Sequence, residues 1–239
     1  PRTVIWVSGR GAAEAAGAML TAALAGSAGE PLVIAAESPP WIGPLDVLVA
    51  AGEDPGDPVL VTAAATAVRR GARVVVAAPY EGPLRDATAG RAAVLAPRIP
   101  VPDEFGLSRY LAAGLATLAA VDPALQTDLG ALADELDAEA LRNSAGRELF
   151  TNPAKALAER MLRRQTVLAG DCPAALALAR HGAAVLLRVG GQPIAAAGLT
   201  DAIAALRSGI GSGAATGFTD PVEALFHDEE IDGPRPARP

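Results

Sequence analysis

Short apolar runs alternate with alanine-rich segments over the first hundred residues of the chain. Continuous apolar runs of this kind predict strands that are buried on both faces of a sheet. Five runs fit this description: Thr3–Val7, Leu32–Ala35, Val47–Ala50, Ala72–Ala77 and Ala92–Leu95. The segments Ala12–Ala25, Pro58–Arg70 and Pro83–Ala89 between them have the length of helices. The alternation predicts an α/β fold, a doubly wound parallel sheet of five strands with helices on both faces.

The second half of the chain repeats this alternation after a helical stretch. Helices are predicted over Phe105–Ala120 and Leu125–Arg142, with Asn143–Asn152 as a connector. Then follow a helix at Pro153–Arg164, a strand at Gln165–Ala169, a helix at Pro173–His181 and a strand at Ala184–Arg188. We expect a first lobe over residues 1–121, a helical connector over 122–151, and the first, incomplete part of a second, similar lobe over 152–239. The chain opens on Pro1 rather than Met, so we expect a piece of a longer protein.

The first strand ends in the turn Ser8-Gly9-Arg10-Gly11, which leads straight into a helix. In a doubly wound sheet, ligands bind beyond the carboxyl ends of the strands. Glycines let the backbone turn tightly and bring helix-start amides against an anion. The turn therefore fits a sugar-phosphate cradle, and equally a glycine turn that serves geometry alone.

A dinucleotide site is the alternative for this turn, because Glu37 follows the second strand and fits a partner for ribose hydroxyls. That fingerprint has a third glycine, and Glu14 stands in its place here. A carboxylate at that point repels a pyrophosphate.

The third strand ends in an acidic tip, Gly52-Glu53-Asp54-Pro55-Gly56-Asp57. Asp57 before Pro58 predicts a capped helix start, which explains that residue structurally. Glu53 and Asp54 have no such duty, so we expect them to point into the tip. Carboxylates there favour hydroxyls or cations and disfavour phosphate.

Two further segments carry candidate chemistry. Asp103 is predicted to cap the long helix that follows it, and Arg109 can serve an anion, although pairing with a nearby carboxylate is favoured. His227 lies beside Asp228, Glu229 and Glu230. Such a histidine has a raised pKa and can act in proton transfer, whereas the plain alternative is an exposed linker.

Composition narrows the classes of partner. A net charge of −7 argues against a nucleic-acid backbone or an anionic membrane surface as partner. One cysteine, Cys172, and two histidines, His181 and His227, provide neither a disulfide framework nor a zinc site. No apolar run reaches the length of a membrane helix and no signal peptide is recognisable. We expect a cytoplasmic protein without a metal or an organic cofactor.

The chain resembles the sugar isomerase (SIS) superfamily, and more narrowly the actinobacterial relatives of the bifunctional phosphoglucose/phosphomannose isomerases. The resemblance covers Thr3–Leu20, Val47–Pro79, Phe105–Leu118, the start Asn152-Pro153-Ala154-Lys155 of the second lobe, and the segment from Glu223 through His227 to Ile231. It implies two SIS lobes, a homodimer, and aldose–ketose isomerisation of hexose 6-phosphates. In the family a histidine opens the sugar ring and a glutamate shuttles the proton, without a cofactor.

The chain departs from this family at three places. The family's Ser-x-Ser-Gly-x-Thr phosphate loop is replaced by Gly52–Asp57, which has no hydroxyl and three carboxylates. Glu104-Phe105 stands where the family has Pro-Arg, and Ala183–Ala197, the region of the shuttling glutamate, has no acidic residue.

Three hypotheses follow. In the first, the protein is a hexose 6-phosphate isomerase with an altered site, in which His227 opens the ring, Glu53 or Glu104 is the base, and Arg10 or Arg109 holds the phosphate. In the second, it is a non-catalytic SIS protein that binds a sugar, a nucleotide sugar or a protein partner. In the third, it is an NAD-dependent dehydrogenase. The candidate ligand-binding residues are Ser8, Gly9, Arg10, Gly11, Gly52, Asp54, Gly56 and Arg109.

Overall fold

The computed structural model describes residues 3–162 and 164–208. Its first part contains a five-stranded sheet of β1 (Val4–Ser8), β2 (Leu32–Ile34), β3 (Val47–Ala51), β4 (Arg73–Ala77) and β5 (Ala92–Val94). The strand order is β2-β1-β3-β4-β5 and every neighbouring pair is parallel. The predicted doubly wound parallel sheet is confirmed, with small shifts at the strand ends.

Helices cover both faces of this sheet: α1 (Ala12–Leu24), α2 (Pro58–Arg69), α3 (Gly82–Thr88) and α4 (Leu107–Val121). Successive side chains of a strand point to opposite faces. Ile5 therefore packs in one buried cluster with Leu60 of α2, and Trp6 packs in the other with Leu20 of α1 and Tyr110 of α4. The core thus lies in two layers, one on each side of the sheet.

The α1–α4 layer is packed closely around Trp6, which is 1% exposed. The indole Nε1 of Trp6 donates a hydrogen bond to the carbonyl oxygen of Ala13 at 3.0 Å. A Cβ on Gly17 would lie 2.5 Å from Trp6 Cδ1, and one on Gly114 would lie 2.2 Å from Leu20 Cδ1. Residues without a side chain therefore let α1 approach the sheet and let α4 approach α1 and Trp6.

After α4 come α5 (Leu129–Arg142), α6 (Pro153–Met161), β6 (Val167–Gly170), α7 (Pro173–Gly190), β7 (Ala195–Gly198) and α8 (Leu199–Arg207). Strands β6 and β7 form a two-stranded parallel sheet. The alternation of strands and helices therefore does restart in the second half, with the unit β6–α7–β7. The division of the chain into lobes and connector remains a prediction.

The predicted strand Ala184–Arg188 is wrong, because these residues belong to α7, which runs on to a left-handed cap at Gly191. Gly182, which suggests a break in the sequence, lies inside the helix. A Cβ there would lie 3.1 Å from Leu168 Cδ1, so the glycine serves close packing of α7 on β6. Among the described residues, no helix is long and apolar enough to cross a membrane.

Candidate functional site

The tips of β1 and β3 meet at the carboxyl edge of the first sheet. The chain leaves β1 toward β2 on one side, and β3, β4 and β5 lie on the other, so the strand order reverses between β1 and β3. The amide of Gly9 donates to the carbonyl oxygen of Ala51 at 2.9 Å, and a Cβ on Gly9 would lie 3.5 Å from Asp57 Oδ2. Ligands of open α/β sheets bind at this reversal. We take this edge as the candidate site.

Two carboxylates of the β3 tip have structural duties. Asp57 caps α2 by accepting from the amide of Val59 at 2.8 Å, as predicted. Asp54 accepts a hydrogen bond from the amide of Gly56 at 2.7 Å, so the expectation that Asp54 has no structural role is wrong. The short Asx turn fixes the path of the tip. A role of Asp54 or Gly56 in ligand binding remains a prediction.

Glu53 joins the β3 tip to α4 through one oxygen atom. Its Oε1 pairs with the guanidinium of Arg109 and accepts a hydrogen bond from the hydroxyl of Tyr110 at 2.6 Å. The preferred interpretation of Arg109, pairing with a nearby carboxylate, is confirmed. Burial, and then the hydrogen bond to Glu53, raise the pKa of Tyr110. The phenol therefore stays protonated and keeps donating to Glu53.

A second carboxylate pair lies at the start of α1. A 3-10 turn over Asp103–Phe105 precedes α4, which begins without a side-chain cap, so the predicted capping role of Asp103 is wrong. Instead Arg188 of α7 reaches across to this turn, with Nη1 3.5 Å from Asp103 Oδ2 and Nη2 2.6 Å from Glu104 Oε1. Gly11 has φ +83°, and a Cβ there would lie 2.7 Å from Asp103 Oδ2. The predicted anion cradle thus has a carboxylate of the chain against it.

His181, also on α7, lies in the same environment. Burial lowers its pKa, Asp103 acts to raise it and Arg188 acts to lower it further, with a net fall below the ordinary value of 6.5. His181 and Arg188 are seven residues apart and so share one face of the helix. At neutral pH the imidazole is uncharged and can accept a proton.

We expect the pH dependence of stability to report His181. As pH falls through 6.5, the unfolded chain takes up a proton at His181 before the folded chain does, so the free energy of unfolding decreases. Above that pH His181 is neutral in both the folded and the unfolded chain, so it no longer changes the free energy of unfolding with pH. Urea unfolding from about pH 7.5 to about pH 5.5 should show a steeper decline for the wild type than for His181→Gln. Parallel pH profiles for the two proteins would contradict this assignment.

The structure brings most of the predicted site residues to one edge: Ser8, Gly9, Arg10 and Gly11 at the β1 tip, Gly52, Glu53, Asp54 and Gly56 at the β3 tip, and Glu104 and Arg109 beside them. Arg10 is exposed and takes part in no ion pair of the described chain. His227 lies outside the described residues. Within residues 3–162 and 164–208, no three His, Cys, Asp or Glu side chains are grouped to hold a metal ion.

Three residues of the edge were not among the predicted site residues: Tyr110, His181 and Arg188. Tyr110 follows Arg109 directly, and its side chain is found only by seeing which face of α4 is buried. The seven-residue spacing of His181 and Arg188 was a usable signal. Because the predicted helix ended at His181, the face that His181 and Arg188 share on α7 was not recognised.

The likeness of this chain to known proteins lies in its fold. Neither a protein-family model nor a curated protein sequence matches it. Solved structures share its fold, among them the following three. A protein of Silicibacter pomeroyi DSS-3, provisionally identified as a phosphosugar isomerase, has a TM-score of 0.60 and 20% identity, over 94% of this chain and 69% of that one.

The other two have lower scores. One is a protein of Salmonella typhimurium LT2, provisionally identified as sugar binding, with a TM-score of 0.55, 16% identity, and 86% of this chain matched to 66% of that one. The other is tagatose-6-phosphate ketose/aldose isomerase of Escherichia coli, with a TM-score of 0.53, 15% identity, and coverages of 87% and 59%. The chain spans about two thirds of their length, and at these identities the likeness shows the fold alone. The chain has the α/β fold of SIS-type phosphosugar isomerases.

Proposed function

We propose that the chain binds a sugar at the edge between the β1 and β3 tips, and that it recognises the hydroxyl groups of the sugar. One observation carries this proposal: both arginines of α4 and α7 at this edge are already paired with carboxylates of the chain. Arg109 pairs with Glu53, and Arg188 pairs with Asp103 and Glu104. A phosphate dianion would have to displace these carboxylates and would face their charge.

Hydroxyl groups fit the same edge better. Ionised carboxylates accept hydrogen bonds from donors such as sugar hydroxyls, and backbone amides at the start of α1 can donate to them. Glycines at the tips, such as Gly9 and Gly11, have no side chain, so a ligand can approach their backbone closely. The SIS-type fold and the provisional identification of one fold neighbour as sugar binding agree with this class of ligand.

Isomerisation of hexose 6-phosphates, as in the phosphoglucose/phosphomannose isomerases, is the second candidate. Two observations favour it: Arg10 is exposed at the β1 tip, where it can reach a phosphate, and His181 is a neutral imidazole near the edge. Against it, the proposed bases Glu53 and Glu104 are both held in ion pairs. A base has to be free to reach the proton between C1 and C2 of the sugar.

A ligand screen on the full chain separates these functions. We expect free hexoses at millimolar concentration to raise the melting temperature, and the 6-phosphates to raise it no further. Nucleotide sugars and NAD(H) complete the screen, and stabilisation by NAD(H) alone would support the dehydrogenase alternative instead. Arg10→Ala is the control, because a phosphate held by Arg10 would lose its extra stabilisation in that variant.

Turnover is then assayed with every hexose 6-phosphate that stabilises the protein. Interconversion that is lost in His181→Ala or in His227→Ala would replace the binding proposal by the isomerase. If no sugar compound stabilises the chain, the binding proposal fails. We also propose a cytoplasmic location, on the grounds of composition given above.

A further inference from the structure

Helix α5 is an amphipathic helix that makes no extensive packing contact with another helix or strand of the described chain. None of its residues is buried. Leu129, Leu132, Ala133, Leu136 and Ala140 fall on one stripe at the helical period. Leu132 is 43% exposed and Leu136 is 55% exposed. An isolated helix of this length is marginal in water, so the stripe needs a surface to cover it.

The stripe of α5 is flanked by negative charge. Asp137 lies on one side of it, and Glu135 and Glu139 lie on the other. Only Glu139 of these three has an ion-pair partner in the described chain, namely Arg142 at 3.1 Å. A surface that covers α5 should therefore have an apolar floor and basic rims.

The same chain presents such a surface between α6 and the start of β6. A groove of about 270 Å³ is lined by Leu157, Met161 and Val167 together with Arg160, Arg164, Gln165 and Thr166. Leu157 is 53% exposed. Neither arginine takes part in an ion pair within the described residues. Apolar side chains with two unpaired arginines are the counterpart of the acidic leucine stripe.

The resemblance to the SIS superfamily already implies a homodimer, and we propose that its interface forms where α5 of one chain docks in the α6–β6 groove of a second copy, with the second copy returning the contact. A stable dimer buries about 800 Å² on each partner, more than one face of a helix of this length provides. Two reciprocal contacts related by a two-fold axis double the area and close the assembly. The interface shares no residue with the β1–β3 edge and does not depend on the proposed ligand.

The mass of the full chain in solution tests this interface. Light scattering after size-exclusion chromatography should give twice the chain mass for the wild type. Leu136→Glu should raise the dimer dissociation constant by about tenfold or more, because it places a charge in the apolar contact. Leu141→Glu is the matched control: Leu141 is 72% exposed on the same helix but lies off the stripe, and its dimer should persist.

The groove is tested by Arg160→Glu combined with Arg164→Glu, which we expect to weaken the dimer similarly. Arg69→Glu with Arg70→Glu makes the same charge change on α2 and should leave the dimer intact. A mixture of the stripe variant and the groove variant should form more dimer than either alone, because one intact stripe then meets one intact groove. Circular dichroism checks that each variant is folded.

Several outcomes would overturn the proposal. One is a wild type that is monomeric at concentrations of about 100 µM, well above a micromolar dissociation constant. Another is a Leu141→Glu variant whose dimer is weakened as much as that of Leu136→Glu. A groove variant that stays dimeric would mean that α5 pairs with another surface.

Discussion

Gly11→Ala should lower the free energy of unfolding by about 2–4 kcal/mol, far more than an exposed glycine-to-alanine change usually does. Gly11 has φ +83° and ψ −130°, a backbone conformation that only glycine adopts without strain. The new Cβ would also lie 2.7 Å from Asp103 Oδ2, so the 3-10 turn has to move. That movement pulls Asp103 away from Arg188. Chemical denaturation measures the loss.

Gly9→Ala, two residues earlier in the same turn, is the control. Gly9 does not have a positive φ, and its added Cβ would have ordinary contacts, the nearest at 3.5 Å. We expect a change within about 1 kcal/mol, of either sign, because alanine also restricts the unfolded chain. Equal losses for the two variants would show that the turn responds to any side chain and that Asp103 is not the cause. If the proposed ligand binds at this edge, Gly11→Ala should also weaken its binding.

The first sheet was predictable because its signal is local. Each strand is a continuous apolar run, and the first, third and fourth runs are each followed by a helix that begins at or next to a proline or a glycine. Asp57 with Pro58 marks the beginning of α2 in both the sequence and the structure. For such segments the local conformational preference and the tertiary packing agree, so the fold can be predicted from the sequence.

The errors arose where packing overrides local preference. Gly182 looks like a break, but its missing side chain lets α7 pass close to Leu168. The apolar residues after it then resemble a strand although they continue a helix. Asp103 looks like a helix cap, but a 3-10 turn delays α4 and leaves its carboxylate to Arg188. In both cases the deciding partner is distant in sequence, so no local pattern contains it.

For the candidate site, the meeting of the strand tips was predictable and the pairing of its charges only in part. Strand order placed the β1 and β3 tips at one edge, as expected for this fold class. Which charges oppose each other there depends on three-dimensional pairing. Arg109 was correctly expected to meet a carboxylate, whereas Arg188 was missed because its helix was divided. The result is an edge whose arginines on α4 and α7 are neutralised by its own carboxylates, while Arg10 stays exposed.

The pairing at Glu53 gives the second large effect. Glu53→Ala should lower the free energy of unfolding by about 2–3 kcal/mol, since it leaves the buried hydroxyl of Tyr110 without an acceptor. The lost ion pair with Arg109 adds little to this, because Glu53 is about one third exposed and solvent screens the charges. Urea unfolding at neutral pH measures the change.

Glu53→Gln separates the hydrogen bond from the charge. One oxygen of Glu53 serves both Tyr110 and Arg109, and the amide oxygen of glutamine can take its place. We expect this variant to retain most of the stability that Glu53→Ala loses, with a deficit of about 1 kcal/mol or less. It should also leave Arg109 without its counter-charge, so that hexose 6-phosphates stabilise the variant more than they stabilise the wild type. If phosphate still adds nothing in Glu53→Gln, neutralisation of Arg109 is not what keeps phosphate from the edge.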